Sequence, residues 1–116
     1  MSIKVKVNCE NVIFVEGYVD KLKFEKEKNG SNLFFNLINL NINKNGQPFR
    51  TDFNVHFKNR SAEKLKDWIK DGDLVKVEGK MRRNGNTKAW KIMGVHVKMT
   101  TPILKDISES EVTKDE

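Results

Sequence analysis

The chain has 116 residues, of which 22 are Lys or Arg and 16 are Asp or Glu, and its formal net charge is +6. This length fits one domain with a single core, and no apolar run approaches the roughly 18 residues that a membrane-spanning helix needs. The 7 Phe, 2 Trp and 1 Tyr argue against wholesale disorder. A single cysteine, Cys9, excludes an internal disulfide framework. Together with an N-terminus that lacks a secretory pattern, it predicts a cytoplasmic protein.

Apolar side chains that recur every second residue predict the first two strands. The strand predicted over residues 11–25 has one apolar face, made of Ile13, Val15, Gly17 and Val19. The strand predicted over residues 33–43 is expected to turn one row toward the core, made of Phe34, Ile38, Leu40 and Ile42. This assignment leaves an exposed apolar group on the opposite face, which indicates either a binding surface or a subunit interface, with the interface favoured: Leu33, Phe35 and Leu37.

The third predicted strand, over residues 50–58, directs its large apolar residues inward: Phe53, Val55 and Phe57. A bulge after Phe53 would instead turn that ring outward. The period then changes, because apolar residues recur at helical spacing over residues 61–70: Ala62, Leu65, Trp68 and Ile69. Ser61 is the predicted N-cap of this helix. Since Trp68 lies on the apolar stripe, it is expected in the core or between the helix and the sheet.

A fourth strand is predicted over residues 74–83 and a fifth over residues 88–99. Three Asn-Gly pairs separate predicted strands, and each predicts a two-residue hairpin turn of type I′: Asn29-Gly30, Asn45-Gly46 and Asn84-Gly85. Five short strands with one helix between the third and fourth is the element order of the OB-fold, a Greek-key barrel. Gly17 and Gly79, inside strands, suit positions where a barrel strand coils or bulges.

These elements divide the chain into an OB-fold domain over residues 11–101, an N-terminal extension over 1–10 and a short tail over 102–116. Alternation of Ile3, Val5 and Val7 makes the extension a candidate extra strand or an arm for self-association. The tail segment 106–116 holds five carboxylates and one lysine, a charge of −4, whereas the first 105 residues carry +10. An acidic tail of this kind can keep the protein soluble, recruit a partner or compete with a polyanion for the basic body.

No acidic residue lies between Glu78 and Asp106, a stretch that contains seven basic residues and Trp90. A basic hairpin with an aromatic ring suits single-stranded nucleic acid, because cations contact phosphates and bases stack on rings. The alternative is a solvated hairpin whose Trp90 packs on the barrel rim. The candidate stacking residues are Trp90, Tyr18, Phe49 and Phe53. The candidate phosphate contacts are Arg50, Lys58, Lys80, Arg82, Arg83, Lys88 and Lys91.

Three segments carry a resemblance to the bacterial and phage single-stranded DNA-binding proteins: NVIFVEGYV over residues 11–19, DFNVHFK over 52–58 followed by SAEKL over 61–65, and KDGDLVKVEGKMR over 70–82. The resemblance implies an OB-fold that coats single-stranded DNA without sequence preference during replication, recombination or repair, usually as a dimer or tetramer. It also implies contacts with replication or recombination proteins. A short tail and an added N-terminal segment would suit a phage-encoded member, located in the host-cell cytoplasm.

The chain departs from that family at several positions. Tyr18 stands where a basic residue is common, and Phe49 is the nearest substitute for an aromatic residue usually carried on a longer loop. Lys58 occupies the place of a stacking aromatic, which suggests a phosphate contact instead. The acidic tail lacks the family's usual Pro-Phe ending, so the resemblance does not imply that this tail recruits repair and replication enzymes.

Two other functions are compatible with these residues. One is an OB-fold module that binds RNA, and the other is a protein-interaction module that uses Leu33, Phe35 and Leu37. His56 and His96 lie on separate strands, and Cys9 has no catalytic setting, so neither a metal site nor an enzyme is expected. No cofactor is predicted.

Overall fold

The computed structural model describes residues 2–4 and 10–100, together with the backbone of residues 113–114. Six strands and one helix follow one another along these residues: β1 (Ile13–Glu27), β2 (Gly30–Ile42), β3 (Pro48–Lys58), α1 (Asn59–Leu65), β4 (Leu74–Arg83), β5 (Trp90–Met99) and β6 (Thr113–Lys114). All five predicted strands and the predicted helix are therefore present, with boundaries that differ by a few residues.

Strands β1 to β5 form a closed barrel. Their order is β2-β1-β4-β5-β3, and pairing between β2 and β3 closes the ring. Among the contacts between these five strands, only that between β3 and β5 is parallel, and it consists of the pairs Val55–Ile92 and His56–Met93. A five-stranded closed barrel with its one helix between β3 and β4 is an OB-fold, as predicted.

Strand β1 pairs with two different strands along its length, because it bends around the barrel. Its first part, up to Tyr18, pairs with β4, and its second part pairs with β2. The register shifts between Asp20 and Lys23, where Lys21 has a φ of 55°. A second irregularity lies between Glu78 and Gly79 in β4, so the prediction of a bulge is confirmed at Gly79. Gly17 lies in unbroken pairing instead, where a Cβ would stand 2.6 Å from the Ile38 carbonyl oxygen.

The inward-facing rows of β1 and β3 are those predicted from alternation, and β4 buries one alternating row in the same way. Their buried members include Val15 and Val19 from β1, Val55 and Phe57 from β3, and Val75 and Val77 from β4. Ile92 and Val97 complete the core from β5. Each of these side chains is removed from water, and each contributes on the order of 1.5–3 kcal/mol of transfer free energy to the fold.

The predicted orientation of β2 is wrong. Its buried row is Leu33, Phe35 and Leu37, which are 0%, 3% and 0% exposed, and the row that contains Phe34 faces outward. Both rows of this strand are apolar, so alternation alone cannot choose between them. Pairing of Leu33 with Phe57 and of Leu37 with Phe53 places the first row inside the barrel. A protein-interaction surface made of Leu33, Phe35 and Leu37 is therefore excluded.

The three hairpins are confirmed, but none of them has the predicted type I′ turn. That turn needs positive φ at both central residues, and the described non-glycine residues with positive φ are Lys21, Asn59 and Lys88. In the third hairpin the Asn84 side-chain oxygen accepts hydrogen bonds from the backbone N–H groups of Asn86 and Thr87. The asparagine thus stabilises a wider loop through its side chain.

Helix α1 begins and ends earlier than predicted. It spans Asn59–Leu65, with Lys58 as an N-cap that makes no side-chain hydrogen bond, so Ser61 is not the cap. Beyond the helix, the chain turns, and the buried position is taken by Ile69, which is 1% exposed. Trp68 is 47% exposed, so it does not lie in the core. It lines a groove between α1 and β5, which agrees with the alternative prediction of a place between the helix and the sheet.

Two predictions fall largely outside the described residues. In the N-terminal extension, Val5, Val7 and Cys9 lie outside the described residues, while Ile3 is described and is exposed. Residues 101–112 and 115–116 of the acidic tail are also outside. Within the described part of the chain, no helix has the length and apolar character needed to cross a membrane.

Candidate nucleic-acid interface

A cleft opens where β3 and β5 separate. The two strands touch only at the pairs Val55–Ile92 and His56–Met93, and toward the start of each strand they diverge. The resulting cleft has a volume of about 590 Å³ and is lined by Asp52, Phe53, Asn54, Met81, Trp90, Lys91 and Ile92. Three of the predicted DNA-binding residues, Phe53, Trp90 and Lys91, are therefore brought together here.

Trp90 stands at the edge of this cleft because it is the first residue of β5 and pairs with Arg83, the last residue of β4. Its side chain is 56% exposed. The Arg83 guanidinium carbon lies 5.9 Å from the centre of the indole ring, and Arg83 Nε donates a hydrogen bond of 3.4 Å to the Lys88 carbonyl oxygen. The ring is thus held by a cation on the hairpin and remains open to solvent.

Several cations lie on the β4–β5 hairpin, whose residues Met81, Trp90, Lys91 and Ile92 line the cleft. Arg82 pairs with Lys91 across the β4–β5 hairpin, and Arg82, Arg83 and Lys88 are exposed. Lys80 is also exposed and pairs with Met93. The hairpin therefore presents several positive charges beside one aromatic ring, which is the arrangement that attracts and holds a single-stranded polyanion.

Phe53 reaches the cleft without the bulge considered above. The β2–β3 register is continuous from Asn32–Lys58 to Ile42–Pro48, and Phe53 pairs with Leu37. Its ring keeps the inward direction and packs partly against the core. It nevertheless lines the cleft, since β5 does not cover this part of β3.

Next to the cleft, the outer face of β2 and β3 carries an aromatic pair that the sequence did not indicate as part of the site. The rings of Phe34 and His56 stack with centroids 4.3 Å apart. Lys91 Nζ lies 3.1 Å from His56 Nδ1, and His56 Nε2 lies 2.8 Å from Asn32 Oδ1. Because a lysine ammonium only donates, Nδ1 is the acceptor, and the ring proton sits on Nε2 and is donated to Asn32.

Burial, together with the positive charges of Lys91 and Lys58, lowers the pKa of His56 from its ordinary value of 6.5 to about 4. The imidazole is consequently neutral at pH 7. Protonation would place a second cation against Lys91 and remove the acceptor of its hydrogen bond. The neutral ring thereby orients the Lys91 ammonium at the side of the cleft.

Acidification from pH 6.5 toward pH 4 is expected to destabilise the protein through His56. In the unfolded chain His56 binds a proton near pH 6.5, whereas in the folded chain it does so only near pH 4. The contribution of the neutral His56 to the free energy of unfolding is therefore complete above pH 6.5, and it is lost as the pH falls from 6.5 to about 4. Thermal unfolding followed by circular dichroism should show a Tm that falls on the order of 5 °C more between pH 7 and pH 5 than in the His56→Gln variant. Identical pH profiles for the two proteins would contradict the assignment.

The remaining predicted residues lie at varying distances from the cleft. Arg50 forms a two-bond ion pair with Asp52, with both nitrogen–oxygen distances at 3.0 Å. Tyr18 pairs with Ile38, which in turn pairs with Asp52, so Tyr18 lies two strands from the cleft on the outer face. Lys58 is exposed at the opposite end of β3. These residues do not form one cluster with Trp90.

Phe49 lies at the start of β3 and is half-buried. Along this free edge the backbone of β6 pairs in parallel with Phe49 and Arg50. Part of the acidic tail is thus placed directly beside two of the predicted DNA-binding residues. This position is compatible with the tail competing for the basic body, although that function remains a prediction.

Sequence reasoning missed Phe34, His56, Asn54 and Met81 as neighbours of the site. One signal pointed to Phe34: Asn36 interrupts the row that was assigned to the core, and a buried amide there would have needed hydrogen-bonding partners. Asn54 had no such signal, because it approaches Trp90 only where β3 meets β5. Met81 pairs with Ile92 within the predicted β4–β5 hairpin, so the hairpin itself was a signal for it. Across the described residues, no three side chains of His, Cys, Asp or Glu are grouped as they would be to hold a metal ion.

The protein is thus an OB-fold domain whose β3–β5 cleft is lined by Phe53, Trp90 and Lys91. The chain matches no known protein-family model and no curated protein. Its structure is similar to the crystal structure of the small single-stranded DNA-binding protein from Streptomyces coelicolor. The TM-score is 0.67 and the sequence identity 19%, over 80% of this chain and 96% of that chain.

Proposed function

We propose that this protein binds single-stranded DNA without sequence preference. The observation that carries the proposal is the exposed indole of Trp90 at the edge of the β3–β5 cleft, with Arg83 beside its ring and with Arg82 and Lys88 exposed on the same hairpin. The similarity of the fold to a single-stranded DNA-binding protein supports the same ligand class.

In the proposed complex, bases stack on Trp90 and on Phe53 at the floor of the cleft. Phosphates contact cations of the β4–β5 hairpin, with Lys91 held in place by His56. Stacking uses the face of a base, which all four bases possess, and ammonium groups read only charge. Neither interaction contacts the hydrogen-bonding edges of the bases, so the affinity does not depend on the base sequence.

The wider role in the proposal is to coat single strands during replication, recombination or repair, in the cytoplasm and as a homo-oligomer. Three exposed apolar side chains on β1 and β2 support self-association, since none of them lines the cleft and all would be covered in a dimer or tetramer: Phe14, Leu40 and Ile42. Contacts with replication or recombination proteins, and a phage origin, belong to the same proposal.

Salt dependence tests the phosphate component. A single strand that contacts about four cations should lose roughly several-hundred-fold in affinity for each tenfold increase in salt. Binding releases counterions from the phosphates, and this release becomes less favourable as the salt concentration rises. Titration of oligo-dT at about 50 mM and about 500 mM salt, followed by tryptophan fluorescence, measures the effect. Equal affinity at the two salt concentrations is the result that the proposal does not survive.

The same titration separates the ligand classes. Duplex DNA should bind weakly, since its bases are stacked within the helix and cannot reach Trp90. RNA of matched sequence is the comparison for the alternative of an RNA-binding module. A clear preference for RNA over DNA would favour the RNA-binding function instead. If no strand quenched the tryptophan fluorescence, both the DNA-binding and the RNA-binding functions would be overturned.

A further inference from the structure

A second groove lies at the other end of the β3–β5 contact. Beyond the pairs Val55–Ile92 and His56–Met93, β3 turns into α1 and leaves β5, and a groove of about 460 Å³ opens between them. It is lined by Phe57, Ser61, Lys64, Leu65, Trp68, Val95, His96 and Val97. This groove mirrors the Trp90 cleft: each opens where the chain leaves the strand contact, and each holds one of the protein's two tryptophans.

We propose that Trp68 is a second stacking site for the same single strand of nucleic acid, which continues from the Trp90 cleft along the β3–β5 contact into this groove. The inference rests on the proposed function and extends it, because it names a binding surface on the helix side of the barrel. A strand long enough to reach both grooves then stacks on both tryptophans.

The exposure of Trp68 has no structural explanation. The turn after α1 is anchored by Ile69, which is buried, and the backbone N–H groups of Trp68 and Ile69 both donate to the Leu65 carbonyl oxygen. These contacts hold the turn without the indole. The ring is nearly half exposed beside the exposed Val95. An apolar surface of this kind, on a basic protein, is available to a flat apolar group such as a base.

The charges along the groove favour a polyanion. Lys64 lines it, and Arg60, one helical turn earlier, is exposed on the same side of α1. The nearest helix carboxylate, Glu63, is turned away, because it accepts a hydrogen bond from Ser31 and lies 3.9 Å from Lys26. Among the carboxylates that follow the helix, Asp71 accepts a hydrogen bond from the Leu22 backbone N–H, and Asp73 accepts one from the Lys70 backbone N–H. Neither these two residues nor Asp67 lines the groove, whereas Lys64 does.

The two tryptophan sites lie on one path. Ile92, in the floor of the first cleft, and Val97, in the second groove, are five residues apart on β5, or about 17 Å at 3.3 Å per residue. Lys91 and Lys58 border the path from β5 and β3 respectively, and its middle is formed by Met93 and Gly94. Among the described residues that line the two grooves, the one carboxylate is that of Asp52, and it is ion-paired with Arg50, with both nitrogen–oxygen distances at 3.0 Å.

Single-tryptophan variants test the inference. In Trp90→Phe the only indole is Trp68, and in Trp68→Phe it is Trp90, while a stacking ring is kept at each position. Each variant is titrated with oligo-dT of about 4 and of about 16 nucleotides, the limits typical of one OB-fold. We expect Trp90 to be quenched by both lengths and Trp68 to be quenched by the long strand only.

Affinity provides the second measurement. Trp68→Ala should weaken binding of the 16-nucleotide strand by roughly 5- to 150-fold and leave binding of the 4-nucleotide strand unchanged. Quenching of Trp90 with no response of Trp68 to saturating long strand would overturn the inference and leave the proposed function standing. If neither indole responds to any strand, the proposed function itself fails, and the second site fails with it.

Discussion

Replacing Trp90 by alanine is expected to weaken binding to single-stranded DNA by about 1–3 kcal/mol, or roughly 5- to 150-fold, while the barrel stays folded. The loss arises because the indole is the exposed ring at the edge of the cleft, and alanine offers no surface on which a base can stack. The fold is spared, since more than half of the Trp90 side chain is already in water. Fluorescence anisotropy with labelled oligo-dT measures the affinity, and thermal unfolding measures the stability.

Trp90→Phe is the matched control for this variant. It keeps an aromatic ring beneath the Arg83 guanidinium, so most of the affinity should remain. Loss of the folded state in Trp90→Ala, or equal affinities for all three proteins, would place the indole outside the binding site. The first result would indicate a structural role on the barrel rim.

Gly94→Ala is expected to destabilise the protein by about 1–3 kcal/mol. A Cβ at this position would stand 2.2 Å from Phe57 Cζ and 2.4 Å from its Cε2. The Phe57 ring cannot move aside easily, because it is fully buried and stacked 6.2 Å from the ring of Phe35. Each kcal/mol corresponds to a Tm decrease of roughly 4–8 °C for a domain of this size, so thermal unfolding resolves the effect.

Gly85→Ala is the control, because a Cβ there meets no atom within 4 Å and its φ is not positive. Its stability should be unchanged or slightly raised. A double variant tests the cause: Phe57→Leu removes the far end of the ring, so Gly94→Ala should cost less in that background than in the natural chain. Additive costs would show that contact with Phe57 does not explain the destabilisation.

The strands could be predicted wherever one face is polar. In β3, Asn54 and Lys58 alternate with Val55 and Phe57, and only one of the two faces can be buried at low free-energy cost. In β2 both faces are apolar, and the choice was wrong. The decision there belongs to cross-strand pairing, which places Leu37 opposite Phe53 and Leu33 opposite Phe57.

The helix shows the same limit. Spacing correctly predicted that Ala62 and Ile69 are buried and that Leu65 packs against the core. The helix nevertheless ends at Leu65, so Ile69 lies in the following turn, which leaves Trp68 exposed. The helical spacing of apolar residues continues past the end of this short helix, so it predicts a helix that is too long at its C-terminal end. Contacts with the barrel, which no local pattern contains, determine where the chain turns.

By itself, the sequence determined the five strands, their hairpins, the helix between β3 and β4, and the basic hairpin that carries Trp90, because these depend on neighbours a few residues apart. Tertiary structure alone decided which face of β2 is buried, and it alone created the two grooves. Both grooves exist because β3 and β5 are parallel partners over only the pairs Val55–Ile92 and His56–Met93 and diverge on either side. That geometry follows from closing a barrel with residues far apart in the chain, and the side chains it brings together, Phe53 with Trp90 and Phe57 with Trp68, have no common pattern in the sequence.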